Sequence, residues 1–267
     1  MMEGMRREDA PPIPQLAVPV SVVAEAYRNG EESKCPKQKA VGQLCLIAFF
    51  YLLRVGEYTA PRFVTTAGGQ KKAATRTKQF RVGDVGLWKN KQHLPKTKDL
   101  EAMLAADAAT LKISNQKNGR MGQTIHQEAT KDASKSAVKA LAQRVQHILE
   151  HGGSDENLIC DYFDPVQKKW LSVTPKDMIT EIRRCVKILK LDKAGIDPDL
   201  VGVHSLRAGG AMALKLAGES DATIMKMGRW SGLTFTMYIH NQIAHLAKGM
   251  SDRMATDLPF MNIATIA

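Results

Sequence analysis

VHSLRAGG, residues 203–210, is the stretch on which the rest of the chain turns. His204 and Arg207 stand three residues apart with Ser205 between them. Serine suits a helix N-cap, so the spacing predicts a helix capped by Ser205 with Leu206 and Arg207 in its first turn. A helix N-terminus carries partial positive charge and unbonded N–H groups, which suits an anion such as phosphate. Arg207 adds a planar, permanently charged fork able to grip two phosphate oxygens. Ala208, Gly209, Gly210 and Ala211 follow. Glycine costs a helix roughly 1 kcal/mol relative to alanine. Its presence here predicts that another backbone, of protein or of nucleic acid, comes close.

Downstream stand Gly228-Arg229-Trp230-Ser231 and then Tyr238-Ile239. Upstream, the apolar run Leu44–Leu53 ends at Arg54, followed by Val55-Gly56-Glu57. A charge placed there is costly to bury unless paired or used, and a snorkelling arginine at a helix end meets the same description. Each piece alone also has a plain reading: a cap plus a surface charge, a core tryptophan, an ordinary helix tyrosine. Together and in this order, His-x-x-Arg, Gly-Arg-Trp and Tyr resemble the C-terminal signature of the tyrosine recombinases, the phage integrase family. The HSLRAGG…GRWS…YI form most resembles the branch carried by DIRS-type and crypton-type mobile elements, and LLRVGE resembles that family's first-arginine motif.

Composition agrees with a chain that meets nucleic acid. The 267 residues carry 38 Lys plus Arg against 27 Asp plus Glu, a formal charge of +11. Such an excess favours a polyanionic partner, although a merely soluble basic protein has the same arithmetic. With 44% apolar content the chain is long enough for one large domain or two small ones. Cys35, Cys45, Cys160 and Cys185 are scattered and form no Cys-x-x-Cys pair. That speaks against a structural zinc site, fits a reducing intracellular compartment, and leaves Cys45 and Cys185 as small core residues. The apolar run of ten is too short to span a bilayer, and MMEGMRRED has no apolar segment of the kind a secretory signal needs.

Taken in order, residues 1–19 hold Pro11, Pro12, Pro14 and Pro19 and read as an extended arm. Pro19 to Arg28 predicts a short helix stopped by Asn29-Gly30. Lys37 to Tyr58 reads as one long, buried helix, with Val41, Leu44, Cys45, Ala48, Phe49, Leu52 and Leu53 at helical spacing. Residues 59–79 read as an exposed basic loop. A small antiparallel sheet of three strands is expected from Phe80–Trp88, Leu111–Ser114 and Gln123–His126. Asn118-Gly119 supplies the turn between the last two. Residues 89–107 read as charged and irregular, with a short helix at 100–106. Ser136–Leu149 is an amphipathic helix ended by Gly152-Gly153. Residues 154–174 read as a connector. Thr174-Pro175 starts a helix with Met178, Ile182, Cys185, Val186 and Leu189 on its core side. Ser220 caps a helix that Gly228 ends, and Phe235 to His240 opens the helix bearing Tyr238. The fold class is therefore mixed α+β, mostly helical.

The resemblance implies more. It covers about residues 16–250 and implies a recombinase catalytic domain over residues 20–267. The separate core-binding domain that usually precedes the first arginine is expected to be missing, since 53 residues stand before Arg54. Tyr238 would attack the scissile phosphate and form a 3′-phosphotyrosyl link. Arg54 and Arg207 would hold its oxygens, and His204 would assist proton transfer. Lys117, on the hairpin tip, would protonate the departing 5′ oxygen, with Lys112 and Arg120 as rivals. Trp230 would donate its indole N–H to the phosphate, with Arg229 the competitor for that position, and Glu57 would brace the site. No metal and no cofactor is called for. The partner would be double-stranded DNA, with assembly into dimers or tetramers through a C-terminal helix striped by Ile243, Leu246 and Met250, and no membrane. Localisation would be intracellular, with DNA. Rival readings are a DNA-binding module that no longer cuts, an assembly protein, and relaxation of supercoils as type IB topoisomerases perform it.

Overall fold

The computed structural model describes residues 15–61, 63–65, 69, 71–73, 77–113, 122–230, 232 and 236. Its organising element is helix α2, Pro36–Phe50, buried without a break from Ala40 to Phe49. A helix apolar all round must be covered all round. Helices α1 (Val20–Glu32), α5 (Ala137–Glu150), α6 (Pro175–Ile188) and α7 (His204–Leu216) all pack on it.

Two of these helices begin as the sequence dictates. Ser136 caps α5 by accepting the Lys139 N–H, and Thr174 caps α6 in a reciprocal box with Asp177 behind Pro175. Two do not. Helix α1 runs on through Asn29-Gly30 to Glu32, and the helix expected over 37–58 stops at Phe50. Leu52 turns left-handed at φ 48°, the Leu52 N–H reaches Phe49 and the Leu53 N–H reaches Ala48. This is a Schellman-type stop made without glycine, and a non-glycine residue held there costs roughly 1–2 kcal/mol. Arg54 then opens a separate one-turn helix, α3 (Val55–Tyr58).

The stretch 59–79, expected as a loop, contains an antiparallel pair, β1 (Phe63–Thr65) and β2 (Lys71–Ala73). The main sheet has four strands rather than the three expected, in the order β4-β3-β5-β6, all antiparallel. These are β3 (Val85–Lys89), β4 (Gln92–Leu94), β5 (Ala108–Lys112) and β6 (Thr124–Glu128). The added edge strand folds back through Asn90 and Lys91 at φ 50° and 67°, the two positive angles of a tight hairpin. Helix α4 (Leu100–Leu104) precedes β5. The connector 154–174 carries another hairpin, β7 (Asp161–Asp164) with β8 (Lys169–Ser172). Helix α8 (Asp221–Gly228) is capped by Ser220, which accepts from Thr223.

The sheet packs on α5 and is tied to the end of α2 by two bonds: Tyr51 Oη donates to the Ala109 carbonyl at 2.8 Å, and Gln127 Nε2 to the Phe50 carbonyl at 2.6 Å. These ties hold the turn 51–54 still, and that turn carries Arg54.

Candidate active site

Helix α7 starts two residues earlier than its serine suggests. Val203 stands at the cap position with no side-chain bond, His204 is the first helical residue, and Ser205 lies buried inside the first turn. The Ser205 hydroxyl accepts the Gly202 N–H at 3.0 Å, so it braces the approach to the helix and leaves the helix's own N–H groups alone. The His204 N–H donates instead to the side-chain oxygen of Gln15 at 3.0 Å.

Gly209 and Gly210 answer the question they raised. A Cβ on Gly209 would run into the Val18 carbonyl, and one on Gly210 into the Phe49 carbonyl and the Leu52 side chain. The backbone that comes close is the protein's own. It lays α7 against the 15–19 segment on one side and against the end of α2 on the other.

That contact brings Arg207 to the turn after α2. Its Nη1 donates to the Leu52 carbonyl and its Nη2 to the Gly228 carbonyl. The Trp230 ring covers the guanidinium, with Cζ 4.1 Å from the ring centroid. Arg207 is 4% exposed, so the fork expected to face an anion is turned onto main-chain oxygens behind Trp230.

Arg54 reaches the same turn from the other side. Its Nη2 donates to the Arg229 carbonyl at 3.3 Å, and its Nη1 lies 3.3 Å from Glu57 Oε1. Its side chain keeps 21% of its surface open, which makes it the more accessible of the two arginines. Arg229 itself is buried. It sits left-handed at φ 58° just past α8, one residue beyond the Gly228 expected to end that helix. Its Nη1 and Nη2 donate to the two oxygens of Glu57 at 2.9 and 3.0 Å, and Nη2 also to the Leu52 carbonyl at 3.0 Å. Gly228 is needed for a different reason: a Cβ there would overlap the Trp230 ring.

Arg54, Glu57, Arg207, Arg229 and Trp230 thus form one cluster around two facing turns, 51–54 and 228–230. His204 stands on α7 one turn before Arg207 and is exposed at its rim. Desolvation of its inner side, and secondly the Arg207 charge, hold its imidazole pKa below the ordinary value. Lys117, Arg120, Tyr238 and the Ile243, Leu246, Met250 stripe lie outside the described residues. Lys112 is exposed at the end of β5. The other tyrosines, Tyr27, Tyr51, Tyr58 and Tyr162, are all buried, and burial is the first cause of their raised pKa values.

Three participants went unread in the sequence: Gln15, Leu52 through its carbonyl, and the Glu57–Arg229 pair. Only the pair left a trace, because Glu57 beside an apolar run needs a buried cation. Among the described residues no group of three or more His, Cys, Asp or Glu is placed to hold a metal ion, and no helix is long and apolar enough to cross a membrane.

No protein-family model and no curated protein sequence matches the chain. Among solved structures the chain is similar to an integrase of the Tn1549 transposon, determined in complex with transposon right end DNA. The TM-score is 0.42 and the identity 14%, over 93% of this chain and 68% of that one.

Proposed function

We propose that this chain cuts and rejoins double-stranded DNA through a 3′-phosphotyrosyl intermediate, as a tyrosine recombinase of the mobile-element kind. The observation that carries the reading is the meeting of Arg54, Arg207 and Trp230, drawn from positions far apart in sequence, on one pair of turns. Metal-free transesterification needs fixed cations where charge develops on the phosphate oxygens. Each such donor is worth roughly 3–4 kcal/mol by analogy with oxyanion holes. Arg54 supplies one from the accessible side. Arg207 supplies the second once its fork leaves the Gly228 and Leu52 carbonyls for phosphate oxygens.

Tyr238 is the nucleophile. Its Oη bonds to phosphorus as the bond from phosphorus to the 5′ oxygen breaks, and Lys117 gives that oxygen its proton. The burial of the other four tyrosines supports the assignment, since none offers a phenol to a duplex. His204 can take the phenol proton, and desolvation, then the Arg207 charge, lowers its pKa in favour of the neutral imidazole. Glu57 and Arg229 hold Arg54 and do not touch substrate, and Trp230 walls the pocket. The chain works wherever the cell keeps DNA and assembles on it as dimers or tetramers.

The test is a nicked suicide duplex, which traps a covalent adduct because the cleaved 5′ piece diffuses away. The full chain should yield an adduct that survives denaturant and is lost in Tyr238→Phe. An adduct retained in that variant defeats the assignment. The burial of Arg207 on two carbonyls favours one other reading, a DNA-binding module that no longer cuts. It predicts salt-sensitive duplex binding with no adduct from the unaltered chain.

A further inference from the structure

We propose that Gln15 is the cap of helix α7, supplied from the 15–19 segment, and that it acts as a positioning residue for His204. Every α-helix begins with N–H groups that have no partner inside the helix. In α7 the residue at the cap position is Val203, which has no polar side chain, and Ser205 spends its hydroxyl on Gly202. The His204 N–H is met by Gln15 Oε1 at 3.0 Å. A backbone N–H can only donate, so the amide atom facing it is the oxygen.

Two further features show that the seat is built for this side chain. Gly202 has no left-handed angle to explain its glycine. A Cβ there would fall 2.6 Å from both Nε2 and Oε1 of Gln15. Glycine at 202 is thus what leaves room for the amide. The segment is also pinned along the motif: the Leu16 N–H donates to the Leu200 carbonyl at 2.9 Å, the Val18 N–H to the Ser205 carbonyl at 3.4 Å, and the Val18 carbonyl lies over Gly209. Residues 16–18 therefore straddle α7's first turn, and Gln15 closes its end. His204 is the first residue of that turn, so the cap fixes the backbone from which its imidazole projects.

The proposal rests on the cleavage reading where it concerns His204's work, and on geometry alone where it concerns the cap. Three variants of the full chain separate the two. Gln15→Met keeps length and removes the acceptor. Gln15→Glu keeps an oxygen at the same reach. Gly202→Ala fills the seat against the end of a flexible side chain, which can move aside. The rate of adduct formation on the suicide duplex and the hydrogen exchange of the His204 amide are read for each. Gln15→Met and Gly202→Ala should each slow adduct formation and speed His204 exchange about fivefold, the effect of a lost N-cap. Duplex affinity should not change, and Gln15→Glu should stay near the unaltered chain in both readouts. Equal behaviour of the Met and Glu variants, or His204 exchange untouched in Gln15→Met, overturns the proposal. If the unaltered chain forms no adduct the cleavage reading falls, and the amide exchange still decides whether Gln15 is the cap.

Discussion

Arg229 and Glu57, 172 positions apart, form a two-pronged buried ion pair with N···O distances of 2.9 and 3.0 Å. Their side chains keep 2% and 3% of their surface, so the pair is desolvated. Removing one partner of such a pair leaves an unmatched buried charge, which costs about 3–5 kcal/mol. Glu57→Leu, which strips Arg229 of its carboxylate, should lose that much in urea unfolding, and Arg229→Met less, since Arg54 still faces Glu57 at 3.3 Å. The double variant should lose less than the sum of the two, because the buried charges leave together. Single variants within 1 kcal/mol of the parent on the about 3–5 kcal/mol scale would show that the pair does not hold the two turns together.

Gly209 and Gly210 make a second, sharper test of the packing. Their missing Cβ atoms would meet backbone carbonyls, at Val18 and Phe49, and backbone cannot swing aside. Gly209→Ala and Gly210→Ala should each destabilise by about 1–3 kcal/mol, the usual cost of overpacking, despite alanine's better helix propensity. Gly232→Ala, where a Cβ meets nothing within 4 Å, is the neutral control. A stabilised Gly209→Ala would mean that α7 does not lie on the 15–19 segment.

What the sequence disclosed was local. Thr174-Pro175 and Ser220 mark helix starts through bonds within one turn, and each is found as read. The glycine pair in α7 disclosed a close approach without naming the partner. What stayed hidden depends on distant residues. No local rule ends a helix at Leu52, because its left-handed turn is compensated by Arg207 and Arg229, both of which donate to its carbonyl. Arg229 takes the same left-handed conformation just past α8, which Gly228 ends as read. The fourth strand was missed because Asn90-Lys91 makes its hairpin without glycine. The cluster of arginines was legible as a set of residue types, whereas the fact that Arg207 faces inward was not.

Acid should unfold the chain partly through His147. Its Nε2 accepts the Phe163 N–H at 3.1 Å, which only a neutral ring can do. Desolvation, then the charges of Arg144, His151 and Lys39, push its pKa down from 6.5 to about 3. Between those values the unfolded imidazole holds a proton that the folded one refuses, so stability rises with pH across the window. The contribution is full above about pH 6.5 and is lost as pH falls toward 3. Urea unfolding at stepped pH should show a shallower acid decline in His147→Gln, which does not titrate. Identical slopes in parent and variant would remove His147 from the account.

Cysteine labelling checks the core. Cys35 is exposed, while Cys45, Cys160 and Cys185 are buried, and burial pushes the Cys160 thiol up to about 12. The thiolate is the form that reacts. Iodoacetamide should therefore modify the folded protein at Cys35 alone and reach the other three only in denaturant. Rapid labelling of Cys45 or Cys185 without denaturant would contradict the packing of α2 against α6.

Trp230 separates holding Arg207 from touching substrate. Its ring lies over the guanidinium at 4.1 Å, a contact worth about 0.5–2 kcal/mol, and Gly228 leaves the space it occupies. Trp230→Phe keeps an aromatic face and loses the indole N–H. It should unfold close to the parent yet form the phosphotyrosyl adduct more slowly. Trp230→Ala loses the face as well, so Arg207 is no longer pressed into place. Gly228→Ala should resemble it by expelling the ring from its seat. Adduct rates and urea midpoints for the three variants should then fall in two groups for stability and one for slowed cleavage. If Trp230→Ala matched the parent in stability and Trp230→Phe in rate, the stacking on Arg207 would have no mechanical role, and Trp230 would act through its N–H alone.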